Sequence, residues 1–534
     1  MLKNARAVIY GQPVNFNINS KLNRKKTVTT IDFESWLSAE VVKGLAGIDL
    51  DGFMHGRAPL SGEYSFDDNA SNLVVHSDLQ GLSSSLPAPF NKSIDSKVVL
   101  YLHEKKNNQD QIINLKYGDQ VKLNGGFTTK KGQDGLLSLQ SHIDTLNLNN
   151  WEKVIQKLLS KTDKSVSKVA FDSLNLNVKK LIIGEKTLDS ASVKLNQKKT
   201  GFNVDVKSSA LAGTAQYKSG KNPELDLIAS KTDLNTAKAI FDWYQSIFKD
   251  KNKDLSFVKN TKNLPKIIAK LNNVLYENYR FQSAELSLVP STYGYHLDSL
   301  KLTDPNYTVD AVGELNLIKR KNPSFIKGEA HFKDVGKSLD SLGIHNLIGG
   351  GKGSVSFDLE WPGLVTAVKP STLLGRIQMN LTGGHITKVN PGLISLINVF
   401  NVDSFWQRIK FDSTGILQKG LAFSELTGLF SIFHGNLFTN DTVVKGPDLQ
   451  LSIGGRVGFV KKNVDLLVGA VPQVSGSIPV IALAAGGLSF APIAGALWLF
   501  EKAVSSEVSN PLVFQYHVYG PWSDVQTKAV NTRK

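Results

Sequence analysis

In this 534-residue chain, the side chains best suited to chemistry are ten histidines and the carboxylates, since no cysteine is present to act as thiolate nucleophile or soft metal ligand. A zinc hydrolase would hold its metal through two histidines one helical turn apart with a glutamate between them. No His-Glu-x-x-His occurs, and His76, His103, His142 and His434 lie far apart, so each reads as a surface or core residue and no metal site is expected. Gly349-Gly-Gly-Lys352-Gly-Ser354 superficially suggests a phosphate loop. However, Asn346 stands where the first glycine belongs, Gly353 follows the lysine, and alternating residues come next where a helix N-terminus would have to hold the phosphate. The run therefore reads as a hairpin turn. With no Gly-x-Ser-x-Gly elbow either, no nucleophile can be named, and neither catalysis nor a cofactor is expected.

Charge points toward a partner. Sixty-two basic against 47 acidic residues give a net charge of +15, which favours anionic surfaces such as phospholipid headgroups or nucleic acid. Nucleic-acid modules interleave basic and aromatic residues, whereas Lys21-Leu-Asn-Arg24-Lys25-Lys26 has no aromatic and Lys461-Lys462 is only a pair. Both read as solvated turns, and no nucleic-acid partner is expected. Met1 to Ser20 contains no apolar segment of the kind that opens a secreted chain.

The elements that must position any function are strands. Apolar and polar residues alternate at Leu174-Asn-Leu176-Asn-Val178, Phe202-Asn-Val204-Asp-Val206, Val355-Ser-Phe357-Asp-Leu359-Glu-Trp361, Ile377-Gln-Met379-Asn-Leu381 and Leu449-Gln-Leu451-Ser-Ile453. Turn signals such as Asn124-Gly-Gly126, Lys218-Ser-Gly-Lys-Asn222 and Lys321-Asn-Pro323 separate such runs at short intervals, which predicts hairpins in series and an antiparallel sheet. Helical spacing is predicted at about 151–161, 232–249 and 264–275, the last with Pro265 near its start. The expected fold is mainly β: an elongated, curled antiparallel sheet forming an open hydrophobic groove, with a few peripheral helices. Its expected segments are 1–150 with a short helix, 151–335 with the helical insertions, and 336–534 with a final strand at 511–520.

One stretch stands apart. From Leu466 to Phe500 no residue is charged, but Pro472, Pro479 and Pro492 cut the run and Gly486-Gly487 sits within it. Proline breaks a single straight spanning helix, so the pattern predicts an apolar helical hairpin over 478–504. Trp498, Leu499 and Phe500 beside Glu501 and Lys502 look like an interfacial anchor. The residues expected to touch a membrane are Ile478, Val480, Ile481, Leu483, Leu488, Phe490, Ile493, Leu497, Trp498, Leu499 and Phe500; the same hairpin could instead plug the end of the sheet.

The residues also resemble a known family. Gly11-Gln-Pro-Val14, Ser77-Asp-Leu-Gln-Gly-Leu82, Leu86-Pro-Ala-Pro89 and Leu359-Glu-Trp-Pro-Gly363 are similar to motifs of the YhdP branch of AsmA-like proteins. The likeness is densest toward the end, at Gly384 to Gly392, Phe411-Asp412, Gly420 to Phe423, Gly428-Leu-Phe430, Val471-Pro-Gln473, Ile478-Pro-Val480 and Tyr516-His-Val-Tyr-Gly-Pro-Trp-Ser-Asp524. The resemblance implies the carboxy-terminal part of a periplasmic, membrane-associated bridge that helps move phospholipid. Its far end would meet the outer membrane through the apolar hairpin, with an inner-membrane anchor expected upstream or on a separate chain.

Beside the resemblance stands a physical argument. A phospholipid with about 30 tail carbons, at about 0.8 kcal/mol per methylene, faces on the order of 25 kcal/mol against crossing water. An open trough with its apolar face inward removes most of that barrier. Val355, Phe357, Leu359, Trp361, Ile377, Met379, Leu381, Leu449, Leu451 and Ile453 are expected to line it, although alternation alone fits a closed two-sheet core equally well. A rival expectation is a structural or assembly factor that binds outer-membrane protein segments by strand-edge pairing.

Overall fold

The computed structural model describes residues 1–23, 26–46, 50–128, 136–161, 170–248, 264–317, 322–345, 347–387, 421–447, 449–472 and 514–530. The hairpin expected over 478–504, with every residue assigned to it, lies outside them. The chain divides into two compact units, Met1–Lys253 and Asp254–Lys534.

In the first unit, strands Leu2–Ile9, Gln12–Asn23, Lys26–Leu37, Ala58–Phe66, Ala70–Ser77, Leu100–Asn107, Asp110–Tyr117, Val121–Thr128 and Leu136–Asn147 each pair antiparallel with the next. Lys26–Leu37 is followed by helix α1 (Ala39–Ala46), and Leu136–Asn147 by α2 (Leu148–Lys161). After α2 the chain enters Ala170–Ile183, with which Leu136–Asn147 pairs parallel. A helical crossover can join parallel neighbours where a tight turn cannot. Antiparallel pairing then resumes through Lys186–Lys198, Gly201–Lys207, Leu211–Lys218 and Glu224–Asp233, which leads into α3 (Leu234–Phe248). Alternating strand direction puts the starts of α1, α2 and α3 at one edge of the sheet.

In the second unit, strands Lys266–Tyr276, Tyr279–Pro290, Gly294–Thr303, Tyr307–Asn316, Pro323–Phe332, Ile348–Pro362, Leu374–Ile386, Leu421–Phe433, Asn436–Lys445, Leu449–Gly458, Asn463–Pro472, Phe514–Pro521 and Gln526–Ala529 follow one another in a wholly antiparallel series. Helix α4 (Val335–Ser341) precedes Ile348–Pro362. Among the described residues, no pairing joins the first strand of either unit to that unit's last, so neither sheet closes on itself. The chain is mainly β, mostly antiparallel and open.

Two expectations fail for local reasons. The helix expected at 264–275 is the strand Lys266–Tyr276, paired from Ile267 opposite Leu288 to Tyr276 opposite Tyr279. Asn273 sits at φ +47° within it, between the pairs Asn272–Ser283 and Val274–Phe281, and the register is the same on both sides. Ile267, Leu271 and Val274 fall at intervals of four and three that imitate a helix, but pairing with Tyr279–Pro290 makes the segment a strand. Gly349–Ser354, expected as a hairpin turn, lies instead inside Ile348–Pro362. The reason is α4. Its Gly336 comes so close to Ile348, Gly349 and Gly350 that an added Cβ would lie 2.8 Å from the Ile348 carbonyl oxygen and the Gly350 nitrogen. The glycines on both sides let helix and strand backbones touch.

Candidate functional site

Pairing register converts isolated alternations into rows that run across the strands. In the first unit, Leu123, Ser141, Leu176, Val193, Val206, Gly213 and Ala229 are successive partners on one face. A parallel row runs Ile113, Gly125, Leu139, Leu174, Leu195, Val204, Ala215 and Leu227. The opposite face of the same strands presents Asn175, Lys194, Asp205 and Thr214. Leu174, Leu176, Val193, Leu195, Val204, Val206 and Leu227 are all half-buried, so these rows keep contact with solvent. The only separate sheet among the described residues is the two-stranded pairing of Met54–Gly56 with Leu82–Ser84.

Packing closes at the edge that bears the helices. There Val41 of α1 is buried with Leu37, Ala58, Leu79 and Leu82, and Val121, Ile143 and Val178 form a second cluster. Trp151 of α2 donates from Nε1 to the Ala88 carbonyl at 3.2 Å, while Trp243 of α3 donates to the Leu148 carbonyl at 3.0 Å. Asp233 caps α3: its carboxylate accepts from the Asn235 N–H at 2.9 Å and from the Thr236 hydroxyl at 2.9 Å. Burial pushes this carboxyl up, but the Thr236 hydroxyl and the backbone N–H groups outweigh it and hold the group below the usual carboxylate range.

The second unit carries the sequence-predicted positions. Val355, Phe357, Leu359 and Trp361 do share one face, opposite Ala330, Gly328, Ile326 and Ser324 on one side. On the other side Val355 meets Met379 and Phe357 meets Ile377, which in turn faces Phe430. Phe357, Leu359 and Ile377 are half-buried. Trp361 is buried at the strand's end, where its Nε1 donates to the Leu364 carbonyl at 3.0 Å.

Further along, the same face closes into a core. Leu381, Leu426, Val444, Leu451 and Ala470 are successive register partners, and all are buried in one cluster with Val468, Tyr516, Val518 and Val335 of α4. Val355, Met379 and Ile453 pack against that cluster while remaining half-buried. Leu449 pairs with Pro472 at the end of its strand. Two settings result: an open row around Phe357 and Ile377, and a packed one around Leu381 and Leu451. Sequence reasoning did not reach the equivalent rows of the first unit, including Leu195, Val193 and Leu227. Their alternation is visible, as in Val193-Lys-Leu195, but only register shows that they meet Leu174 and Val204. Among the described residues, no cluster of histidines and carboxylates could hold a metal ion.

A family model described as YhdP protein matches residues 1–526. Among curated proteins, a similar relative is the "Intermembrane phospholipid transporter YhdP" of Escherichia coli (strain K12), 25% identical over 207 residues. That match covers 38% of this chain and 16% of the relative's length. No solved structure matches.

Proposed function

From the premise that the chain belongs to the YhdP family, we propose that it carries phospholipid between membranes by laying acyl chains along its half-buried apolar rows. The observation that carries this reading is the row Leu174, Leu195, Val204 and Leu227 with its neighbour Leu176, Val193 and Val206: apolar, continuous in register, and left in contact with solvent. Each buried methylene recovers about 0.8 kcal/mol, so a surface that accepts one acyl carbon after another keeps a lipid's free energy nearly level as it moves. No bond is made or broken in such a process, and none of the chain's titratable groups is required for it.

In this reading the chain works in the periplasm as one part of a path from inner to outer membrane. Ile478 to Phe500 meet the outer membrane, and an inner-membrane anchor is supplied upstream or by a separate chain. Phospholipid is the cargo, which agrees with the name of the Escherichia coli relative.

The test is site-specific photocrosslinking. A photoreactive residue at Leu195 or Phe357 should yield a phospholipid adduct by mass spectrometry, and Phe357→Asp should abolish the adduct formed from Ile377 while melting within a few degrees of the parent. A chain that never gives a lipid adduct from either row, yet captures outer-membrane protein segments along its strand edges, would replace transport with assembly.

A further inference from the structure

The acyl-chain rows leave one built surface of the second unit unused. Loop 363–373 and the turns at 434–435, 459–462 and 522–525 succeed one another along a single edge, because the strands they join are paired in series. They are stitched together. The His434 ring nitrogen Nδ1 lies 3.3 Å from the Ser371 carbonyl, and the N–H groups of Phe459 and Val460 donate to the Gly435 carbonyl at 3.0 and 3.3 Å. The Trp522 N–H donates to the Lys462 carbonyl at 2.8 Å. Gly435 sits at φ +79°, and a Cβ there would overlap Val460, so only glycine lets these two turns meet.

What this rim displays is unusual for a surface. Val368, Phe433, Val460 and Trp522 are exposed by 50, 45, 50 and 43%, respectively. Exposed Lys369, His434, Lys461 and Lys462 lie between them, and Asp524 is the carboxylate on these turns. A single exposed apolar side chain needs no explanation, but four on adjacent, mutually bonded turns mark a contact surface. The centre of a protein–protein interface is typically depleted of lysine, whereas tryptophan amid lysines suits the headgroup level of a bilayer, where the indole is half solvated and the ammonium groups meet lipid phosphates. The Gly520-Pro-Trp-Ser-Asp524 segment, which has no place in the groove, acquires a purpose here: its backbone is pinned and its indole is left outside.

We propose that this rim docks on the surface of an anionic bilayer. Val368, Phe433, Val460 and Trp522 enter the headgroup region, and Lys369, Lys461 and Lys462 face the phosphates. None of these residues belongs to the acyl-chain rows, so lipid carriage and docking can fail independently.

The test is sedimentation of the full chain with vesicles of phosphatidylethanolamine and phosphatidylglycerol, compared with phosphatidylcholine alone. The parent should bind the anionic vesicles, less so as salt rises. At about fivefold per lysine near an anionic surface, Lys369→Glu/Lys461→Glu/Lys462→Glu should weaken binding by about a hundredfold. Trp522→Ala should weaken it severalfold, and both variants should keep the phospholipid adduct at Leu195. Brominated lipid should quench the parent's fluorescence more than that of Trp522→Phe. The proposal is overturned if the lysine and tryptophan variants bind like the parent, since another surface then holds the membrane. It is also overturned if Trp522→Ala only converts a dimer to a monomer, which would make the rim a contact between copies.

Discussion

Two stretches built from the same alternating pattern end in opposite environments. Around Leu381, Leu426, Val444, Leu451 and Ala470, the apolar face is buried among its own strands and against Val335 of α4. Around Leu174, Leu195, Val204 and Leu227, an equally regular face stays half-exposed. Strand alternation reports only that one face avoids water. Whether that face becomes core or lining depends on what covers it, and among the described residues helices decide locally: α4 reaches the closed region, while α1, α2 and α3 pack at the edge of the first unit and the middle of its strands stays half-exposed.

The same charge placed in both settings should have very different consequences. Leu381 is 2% exposed, so Leu381→Asp buries an unpaired carboxylate and should destabilise the second unit by about 4 kcal/mol or more, which is enough to unfold a marginal domain. Leu195→Asp keeps water within reach and should reduce stability by only about 1 kcal/mol, while removing lipid adducts along its row. Urea unfolding of the two variants, read beside crosslinking, separates them. Equal destabilisation would mean that the Leu195 row is core as well and would take the transport reading with it.

The contrast also marks where sequence stops being informative. The shared face of Val355, Phe357, Leu359 and Trp361 was legible because a period of two is local. That Phe357 lies open while Leu381 is sealed was not, since it depends on register with Leu426 and on α4, both distant in the chain. The strand Lys266–Tyr276 was misread because Ile267, Leu271 and Val274 carry the spacing of a helix, whereas the partner strand Tyr279–Pro290 leaves no trace in that spacing. Gly349–Ser354 was taken for a turn because glycine serves equally for a turn and for close backbone approach. A substitution distinguishes the two uses. Gly336→Ala places a Cβ 2.8 Å from the Ile348 carbonyl oxygen and the Gly350 nitrogen, and should destabilise by about 1–3 kcal/mol as α4 lifts from the strand. Thermal unfolding without change would show that α4 is not pressed against the closed region.

The smallest effect comes from the residue that starts α4. Asp334 accepts the Lys337 N–H at 3.0 Å, and that bond, ahead of the opposing effect of partial burial and the attraction of the Lys337 side chain, holds its carboxyl below the ordinary range. A carboxyl with a depressed folded pKa stabilises the fold fully above its unfolded value near 3.9 and loses that contribution as pH falls through the lower folded value. Asp334→Asn keeps an acceptor for the Lys337 N–H but removes the titration, whereas Asp334→Ala removes both and should lower stability by about 1 kcal/mol near neutral pH. The difference between parent and Asp334→Ala should therefore shrink on acidification below about pH 4, measured by urea unfolding across pH. Because α4 covers the closed region and not the open rows, neither variant should change the yield of phospholipid adduct at Leu195. A loss of that adduct would couple the two environments through α4 and erase the distinction between them.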